Sequence, residues 1–319
     1  MKRTLFGLVA LGLALGTAAS GSAQEDAHVV EVVELSGVID PTTAGYLTER
    51  IRSAADDGSE VVIVQLDTPG GLVVSMREMV REILRARVPV VVWVGPPGAR
   101  AASAGVFLVY ASHVAAMAPG TNLGAAHPVD LGGELSGAAE EKAVNDAAKF
   151  LRSLAEQRGR DPAFAEETVR RSTSLTSTEA QQRGVIEVVA ASVPDLLGQL
   201  DGRRVETDAG SRVLVTEASG EQRVIVRFHK PGLMRRILHA VTDPSIAYLL
   251  LVLGFWAIVF EISQPGIGIA GIAGVVALIL AFYALAVLPV NLAALLLVLL
   301  GLALLTIDVF TAGLGVFTI

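Results

Sequence analysis

The stretch Gly98-Ala99-Arg100-Ala101-Ala102-Ser103-Ala104-Gly105 sets one hydroxyl among residues too small to screen it, between the hydrophobic run Val88 to Val94 and the apolar run Val106 to Ala111. Small neighbours let a carbonyl carbon reach a serine oxygen, and a helix beginning at the serine would aim free backbone N–H groups at the developing oxyanion. Ser103 therefore reads as a nucleophile, the plainer alternative being a close-packing contact between two elements. Acyl transfer also needs a base and two oxyanion donors. The N–H of Ala104 follows the serine directly, and Gly71 closes a Pro-Gly-Gly turn after a strand-like run, where a backbone N–H can be exposed. Gly70 and Gly71 also let a substrate backbone approach closely, as an added β-strand would. Two residues are candidates for the base, Lys142 and His127. Lys142 serves only if desolvation lowers its pKa, since an exposed lysine near about 10.4 is protonated at neutral pH. The carboxylates Glu140, Glu141 and Asp146 would oppose that shift, although a helix turns Glu140 and Asp146 to different faces. Asp67 reads as a turn former rather than a third catalytic group.

The elements that must hold these residues follow a regular grammar. Val29 to Leu35 reads as a strand, Pro41 to Ala55 as a helix, and Glu60 to Leu66 as a strand ending in Asp67-Thr68-Pro69-Gly70-Gly71. Val73, Met76, Val80 and Ile83 recur at helical spacing, and Val88 to Val94 is a further buried strand. Helix after strand, with glycine turns leaving strand C-termini, predicts an α/β domain with a largely parallel sheet and a site at that edge. Past Ser103 the sequence predicts a helix to Ala111, a short strand over His113 to Met117, a loop over Ala118 to Pro128 and a flexible stretch over Gly132 to Gly137. A helix is expected from Ala138 to Gln157, with Val144, Ala147, Ala148 and Leu151 on its buried face. Shorter helices over Pro162 to Arg171 and Ser177 to Arg183, a strand over Val185 to Val189, and a terminal hairpin or meander over Arg204 to Phe228 follow. Met76, Met79 and Trp93 are expected in the core and Trp256 in the membrane.

Composition divides the chain. It has 319 residues, 52% hydrophobic and 18% charged, and from Ile237 onward it contains no Lys or Arg. Lys2 and Arg3, the apolar run Leu5 to Leu15 and Gly21-Ser22-Ala23 form a signal peptide pattern, so the soluble domain is expected outside the cytoplasm. Leu233 to Val241, with Arg235, Arg236 and His239 among apolar residues, suits a membrane surface. Ile246 to Ile262, Ile267 to Leu288 and Val290 to Ile307 are three apolar runs; the last two are read as long enough to span and the first as needing modest bilayer adjustment. Gly268, Gly271 and Gly274 suit tight helix packing or a re-entrant turn. The expected division is a signal peptide at 1–23, an α/β domain at 24–232, a juxtamembrane linker at 233–244 and a transmembrane region at 245–319. A net charge of −7 without a basic cluster argues against nucleic acid. Cysteine is absent, and the five histidines show no ligand spacing, so no metal or cofactor is expected.

Several motifs resemble a known family. Leu66-Asp67-Thr68-Pro69-Gly70-Gly71, Ala101-Ala102-Ser103-Ala104-Gly105, Met117-Ala118-Pro119-Gly120-Thr121-Asn122-Leu123-Gly124-Ala125-Ala126-His127-Pro128 and Lys142-Ala143-Val144-Asn145-Asp146 look like those of the NfeD-type membrane-bound serine proteases. These are relatives of Clp protease and signal peptide peptidase A with a crotonase-like α/β fold. The resemblance implies a Ser-Lys dyad of Ser103 and Lys142, with Gly71 and Ala104 as oxyanion donors. His127 lies near the spacing that separates nucleophile and histidine in the Clp proteases, which keeps it as an alternative base. The family further implies hydrophobic segments of stomatin-like membrane proteins as substrates, a membrane-lipid setting, and homodimers or larger assemblies. It also implies a C-terminal OB-like barrel, which this sequence lacks; with no polar tail after Ile319, the sequence reads as a piece of something longer.

The reading is thus a multi-pass membrane serine endopeptidase with its protease domain on the extracytoplasmic side. Its rivals are a non-enzymatic scaffold that binds a stomatin-like partner through a protease fold, and acyl-CoA chemistry on a crotonase-like fold.

Overall fold

Runs of β-branched residues build the sheet that positions everything else. A computed structural model describes residues 27–129, 137–220, 222–264, 268–287 and 292–310; the expected signal peptide and residues 132–136 of the glycine-rich stretch lie outside them. In chain order the first elements are β1 (His28–Ser36), α1 (Pro41–Asp56), β2 (Val61–Asp67), α2 (Val73–Leu84), β3 (Val90–Val94), β4 (Arg100–Ala102), α3 (Ala104–Ala111), β5 (Val114–Met117) and β6 (Asn122–Gly124). Then come α4 (Ala138–Arg158), α5 (Pro162–Arg171), β7 (Ser174–Thr176), α6 (Ser177–Gln182), β8 (Val188–Val189), α7 (Val193–Leu200), β9 (Arg204–Thr207), β10 (Gly210–Val213) and β11 (Val224–His229). The C-terminal part is helical: α8 (Leu233–Val241), α9 (Pro244–Ser263), α10 (Ile269–Val287) and α11 (Leu292–Phe310).

The main sheet has the order β11-β1-β2-β3-β5-β8, and every pairing in it is parallel. Both faces are covered, which is why its central strands read as unbroken apolar runs. Alternate residues go to opposite cores: Val33, Val62, Val64, Val90 and Val92 pack with α1 to α4, while Val32, Val61, Ile63, Val91 and Trp93 pack with α7. Trp93 satisfies its buried indole by donating to the Ala190 carbonyl at 3.0 Å. A second, three-stranded sheet, β4-β6-β7, stands beside the site.

Several expectations are met, and several need correction. The strands and helices around both glycine turns fall where periodicity placed them, and α5 has the predicted bounds. Val73, assigned to the buried face of α2, is 56% exposed; the buried set is Ser75, Met76, Met79, Val80 and Ile83. The expected loop over 118–128 contains β6, whose short polar sequence carries no strand periodicity. Likewise β4 occupies part of the small-residue octet. The expected terminal hairpin is only half right. β9 and β10 form it, whereas β11 returns to pair parallel with β1 at the sheet edge, a long-range pairing that local alternation cannot show. α7 was not anticipated.

α8 packs across α1 and leads into α9. α9 and α10 pack closely where glycines meet: a Cβ on Gly254 would lie 2.9 Å from the Gly274 carbonyl oxygen, and one on Gly274 would lie 2.8 Å from that of Gly254. The Glu261 carboxylate accepts the Gly268 and Gly271 N–H groups at 3.1 and 3.3 Å, satisfying donors at the start of α10. Among the described residues one stretch, Ser245–Ser263, has the length and apolarity to cross a membrane. Ile269–Leu285 and Leu296–Ile307 are shorter apolar helical stretches. The second and third expected runs, Ile267 to Leu288 and Val290 to Ile307, extend into residues outside the described ones.

Candidate active site

Thr68 and Ile39 hold the first glycine turn. The Thr68 hydroxyl accepts the Gly70 N–H at 3.0 Å and donates to the Gly70 carbonyl at 3.2 Å, which locks the turn on itself. Ile39 then bridges Gly71 in parallel: its N–H donates to the Gly70 carbonyl and its carbonyl accepts the Leu72 N–H, both at 2.8 Å. That pattern turns the N–H and C=O of Gly71 away from Ile39, and among the described residues neither has a hydrogen-bond partner. Only glycine fits, because a Cβ at 71 would stand 2.1 Å from the Ile39 carbonyl oxygen.

Ser103 lies between β4 and α3 with φ 52° and ψ −114°, a left-handed conformation unusual for a side-chain-bearing residue. Its N–H is held by the Gly124 carbonyl at 3.0 Å, and β4 is anchored by Thr68, whose N–H donates to Arg100 and whose carbonyl accepts from Ala102. Gly70 abuts it so closely that a Cβ there would be 2.6 Å from the serine Cβ. The Ala104 N–H, first in α3, has no acceptor, as a helix N-terminus leaves it. α3 is buried along its whole length and fixed at its far end by Arg160, 4% exposed, which donates to the Val109 and Tyr110 carbonyls at 2.8 and 2.9 Å and forks onto Glu187.

A mostly apolar cavity of about 130 Å³ opens at Ser103 and Gly71, walled by Val73, Met76, Phe107, Ala147 and Phe150. Phe107 stacks on Phe150 with centroids 5.7 Å apart, and the Arg77 guanidinium lies 4.4 Å over the Phe150 ring while pairing with Asp146. α4 contributes this wall through Ala143, Asp146 and Ala147. Lys142, in the second turn of that helix, is exposed and makes no ion pair among the described residues. His127 sits on the other rim between the lining residues Ala126 and Pro128; its Nδ1 donates to the Val169 carbonyl at 2.9 Å, and its Nε2 faces Glu140 at 3.7 Å. Among the described residues the Ser103 hydroxyl has no hydrogen-bond partner, so neither candidate base touches it. Asp67 accepts the Arg100 N–H at 3.0 Å, in keeping with a turn role.

Sequence reasoning missed the loop from Gly37 to Asp40, which supplies the strand partner of Gly71. Asp40 caps α1, accepting the Thr43 N–H at 2.7 Å, and its other oxygen receives His239 Nδ1 at 2.7 Å and the Thr242 hydroxyl at 2.8 Å. Asp40-Pro41-Thr42-Thr43 does carry a capping signal, but nothing local pairs it with α8.

Residues 29–196 match the NfeD1b N-terminal domain, and residues 245–319 match the NfeD integral membrane domain. The chain belongs to the NfeD family. Its NfeD membrane domain makes it a membrane protein. The membrane-bound protease PH1510 of Pyrococcus horikoshii is 35% identical over 295 residues, covering 92% of this NfeD chain and 66% of that relative. The chain thus spans just under two thirds of the relative's length. A solved structure of the 1510-N membrane-bound stomatin-specific protease, in a lysine-to-alanine variant bound to a substrate peptide, is 35% identical; the match covers 68% of this chain and 99% of that one with a TM-score of 0.62. A serine-to-alanine variant of the same protease is 36% identical, covering 65% and 99%, with a TM-score of 0.58. The α/β domain followed by apolar helices that the sequence predicts is the architecture of this family.

Proposed function

We propose that this chain is a membrane-anchored serine endopeptidase in which Ser103 attacks the scissile carbonyl and Lys142 takes its proton. The observation that carries this reading is the convergence at Ser103. A hydroxyl in a strained backbone conformation faces an apolar cavity, beside two backbone N–H groups, of Gly71 and Ala104, that have no other acceptor among the described residues. A peptide carbonyl seated there would have its oxygen met by both amides as negative charge develops. Attack by Ser103 Oγ gives a tetrahedral intermediate. Its collapse expels the amine, which takes the proton back from the base, and water then releases the acyl group by the same route. Lys142 must come in from its exposed position, shedding water as it does, since only a desolvated amine is neutral enough to act. The lysine-to-alanine and serine-to-alanine variants chosen in the relative support this pairing.

The substrate reading rests on the surroundings. Gly71 leaves one strand edge open for an added peptide, and Val38, Val73, Val74 and Val129 near the site are exposed, at 45%, 56%, 80% and 76%. Hydrophobic segments suit such a rim, and the stomatin specificity of 1510-N supports a stomatin-like partner. The chain leaves the sheet for α8 and α9 at the C-terminal end of β11. In an all-parallel sheet that is the edge from which the turn of residues 67–71 also leaves, so the site is tethered close to the membrane. On this reading 24–232 is the protease domain, 233–244 the juxtamembrane linker and 245–319 a multi-pass region, with the protease domain extracytoplasmic and the assembly a homodimer or larger.

A second reading, a non-enzymatic scaffold, draws on the exposure of Lys142 and the unpartnered Ser103 hydroxyl. Incubating the full chain in detergent with an apolar peptide from a stomatin C-terminus separates the two. Cleavage that disappears in Ser103→Ala supports the protease. Unchanged binding with no cleavage, and no labelling of Ser103 by a fluorophosphonate, supports the scaffold.

A further inference from the structure

A second cavity, of about 360 Å³, lies away from Ser103 between the C-terminal end of β1, the first turns of α1, the end of β11 and α8. Four basic side chains line it, Lys230, Arg235, Arg236 and His239, together with the carboxylate of Glu34. Three of these have carboxylate partners. Lys230 pairs with Glu34 at 3.1 Å, Arg235 with Glu49, and His239 with Asp40 at 2.7 Å. Arg236 has none among the described residues, where its Nε donates to the Pro231 carbonyl at 2.9 Å and the two terminal amino groups of its guanidinium are unengaged. Tyr46 lines the same cavity at 3% exposure, under the Arg235 guanidinium 5.2 Å from its ring, and its buried hydroxyl has no hydrogen-bond partner. A buried hydroxyl without a partner is the exception in folded proteins and points to a missing group.

The cavity's place in the chain says what that group is. Lys230, Arg235 and Arg236 are the last basic residues before the apolar helices, and Asp243, two residues past α8, caps α9. α8 also exposes Leu233 and Met234, at 76% and 67%, which no other element among the described residues covers. A cationic pocket beside uncovered apolar side chains, at the start of a membrane helix, matches a lipid: a phosphate held by fixed donors, with acyl chains along the apolar surface. We propose that this cavity binds the phosphodiester of a membrane phospholipid, with the Arg236 guanidinium and the Tyr46 hydroxyl as its principal donors. Glu34 stands in the same wall and disfavours a second negative charge, so the site takes a singly charged diester rather than a phosphate monoester or a polyphosphate.

Native mass spectrometry of the delipidated full chain in detergent, titrated with phosphatidylglycerol, tests this. One lipid should be retained per chain. Arg236→Gln should weaken retention about tenfold, a guanidinium–phosphate contact being among the stronger charge-assisted hydrogen bonds, and Tyr46→Phe, which keeps the ring, should weaken it several-fold. Circular dichroism shows that each variant is folded, and Lys149→Gln, on an exposed face of α4, serves as the control. A parallel titration with inorganic phosphate distinguishes the sources. Displacement of the lipid only by large excess supports a lipid site, whereas saturation by phosphate with no lipid retained overturns it. Equal retention by wild type and both variants also overturns it.

Discussion

His239 Nδ1 stands 2.7 Å from Asp40 Oδ2, joining the helix that leads to the membrane with the loop that pairs with Gly71. The ring also packs on Gly37, where a Cβ would come within 2.6 Å of Nε2. The Asp40 hydrogen bond raises the His239 pKa, against the effect of burial. For Asp40 burial pulls upward and is outweighed by hydrogen bonds from His239, Thr43 and Thr242, which hold the carboxyl below its usual range. Each group thus favours the charged form of the other.

The pH dependence follows from these directions. His239, raised from 6.5, contributes fully below that value and loses its contribution as pH rises through the raised pKa. Asp40, lowered from 3.8, contributes above that value and loses its contribution as pH falls through the lowered pKa. Asp40→Asn keeps the Oδ1 cap and breaks the charge pair, with an expected cost of about 1–2 kcal/mol. Thermal melts across pH should show the largest gap between wild type and variant from about pH 4 to 6.5, narrowing in more alkaline buffer. A gap that widens above neutrality contradicts the pairing.

Gly70→Ala places a methyl 2.6 Å from the Ser103 Cβ, at a φ of 114° that L side chains rarely adopt. Gly71→Ala drives one into the Ile39 backbone. Both variants should turn over an apolar peptide at least about 100-fold more slowly, the usual loss when an oxyanion donor is displaced. Single-turnover kinetics with matched circular dichroism spectra checks this.

Lys142→Ala and His127→Ala should separate cleanly. Loss of the lysine is expected to abolish cleavage, by about 10⁴-fold or more. Loss of His127 removes its hydrogen bond to Val169 and should lower stability by about 1 kcal/mol while leaving most activity. The reverse pattern in rate assays would make the histidine the base.

Arg160→Ala strips two α3 carbonyls and Glu187 of their donor within the core. Urea unfolding should show a loss of about 3 kcal/mol. Activity should fall with it at a given temperature, since α3 begins at the serine. An unaffected midpoint would show that α3 is held by its apolar packing alone.

What the sequence made legible was whatever repeats locally. β-branched runs and 3.6-residue spacing placed β1 to β3, α2, α4 and α5, and two glycine turns after strands marked the Gly71 and Ser103 neighbourhoods. Less visible was what depends on distant pairing. β4 and β6 are three residues each and draw their order from each other and from β7. β11 is a strand of the main sheet only because β1 offers it an edge. Val73 shows the limit of periodicity, since its spacing fits the core face while its position at the first turn of α2 brings it to the rim of the Ser103 cavity. Asp40 and His239 illustrate a third case, a contact between residues with no shared pattern at all.

The parallel pairing of β11 with β1 runs from His28 opposite Val224 to Val33 opposite His229. Tension applied through α8 therefore pulls along the length of β11, and the hydrogen bonds of that ladder bear the load together, in shear, rather than parting one after another. A hairpin strand at the same place would peel open from its end. A domain held to a bilayer through such a strand can bear a pull along it without its own sheet giving way first.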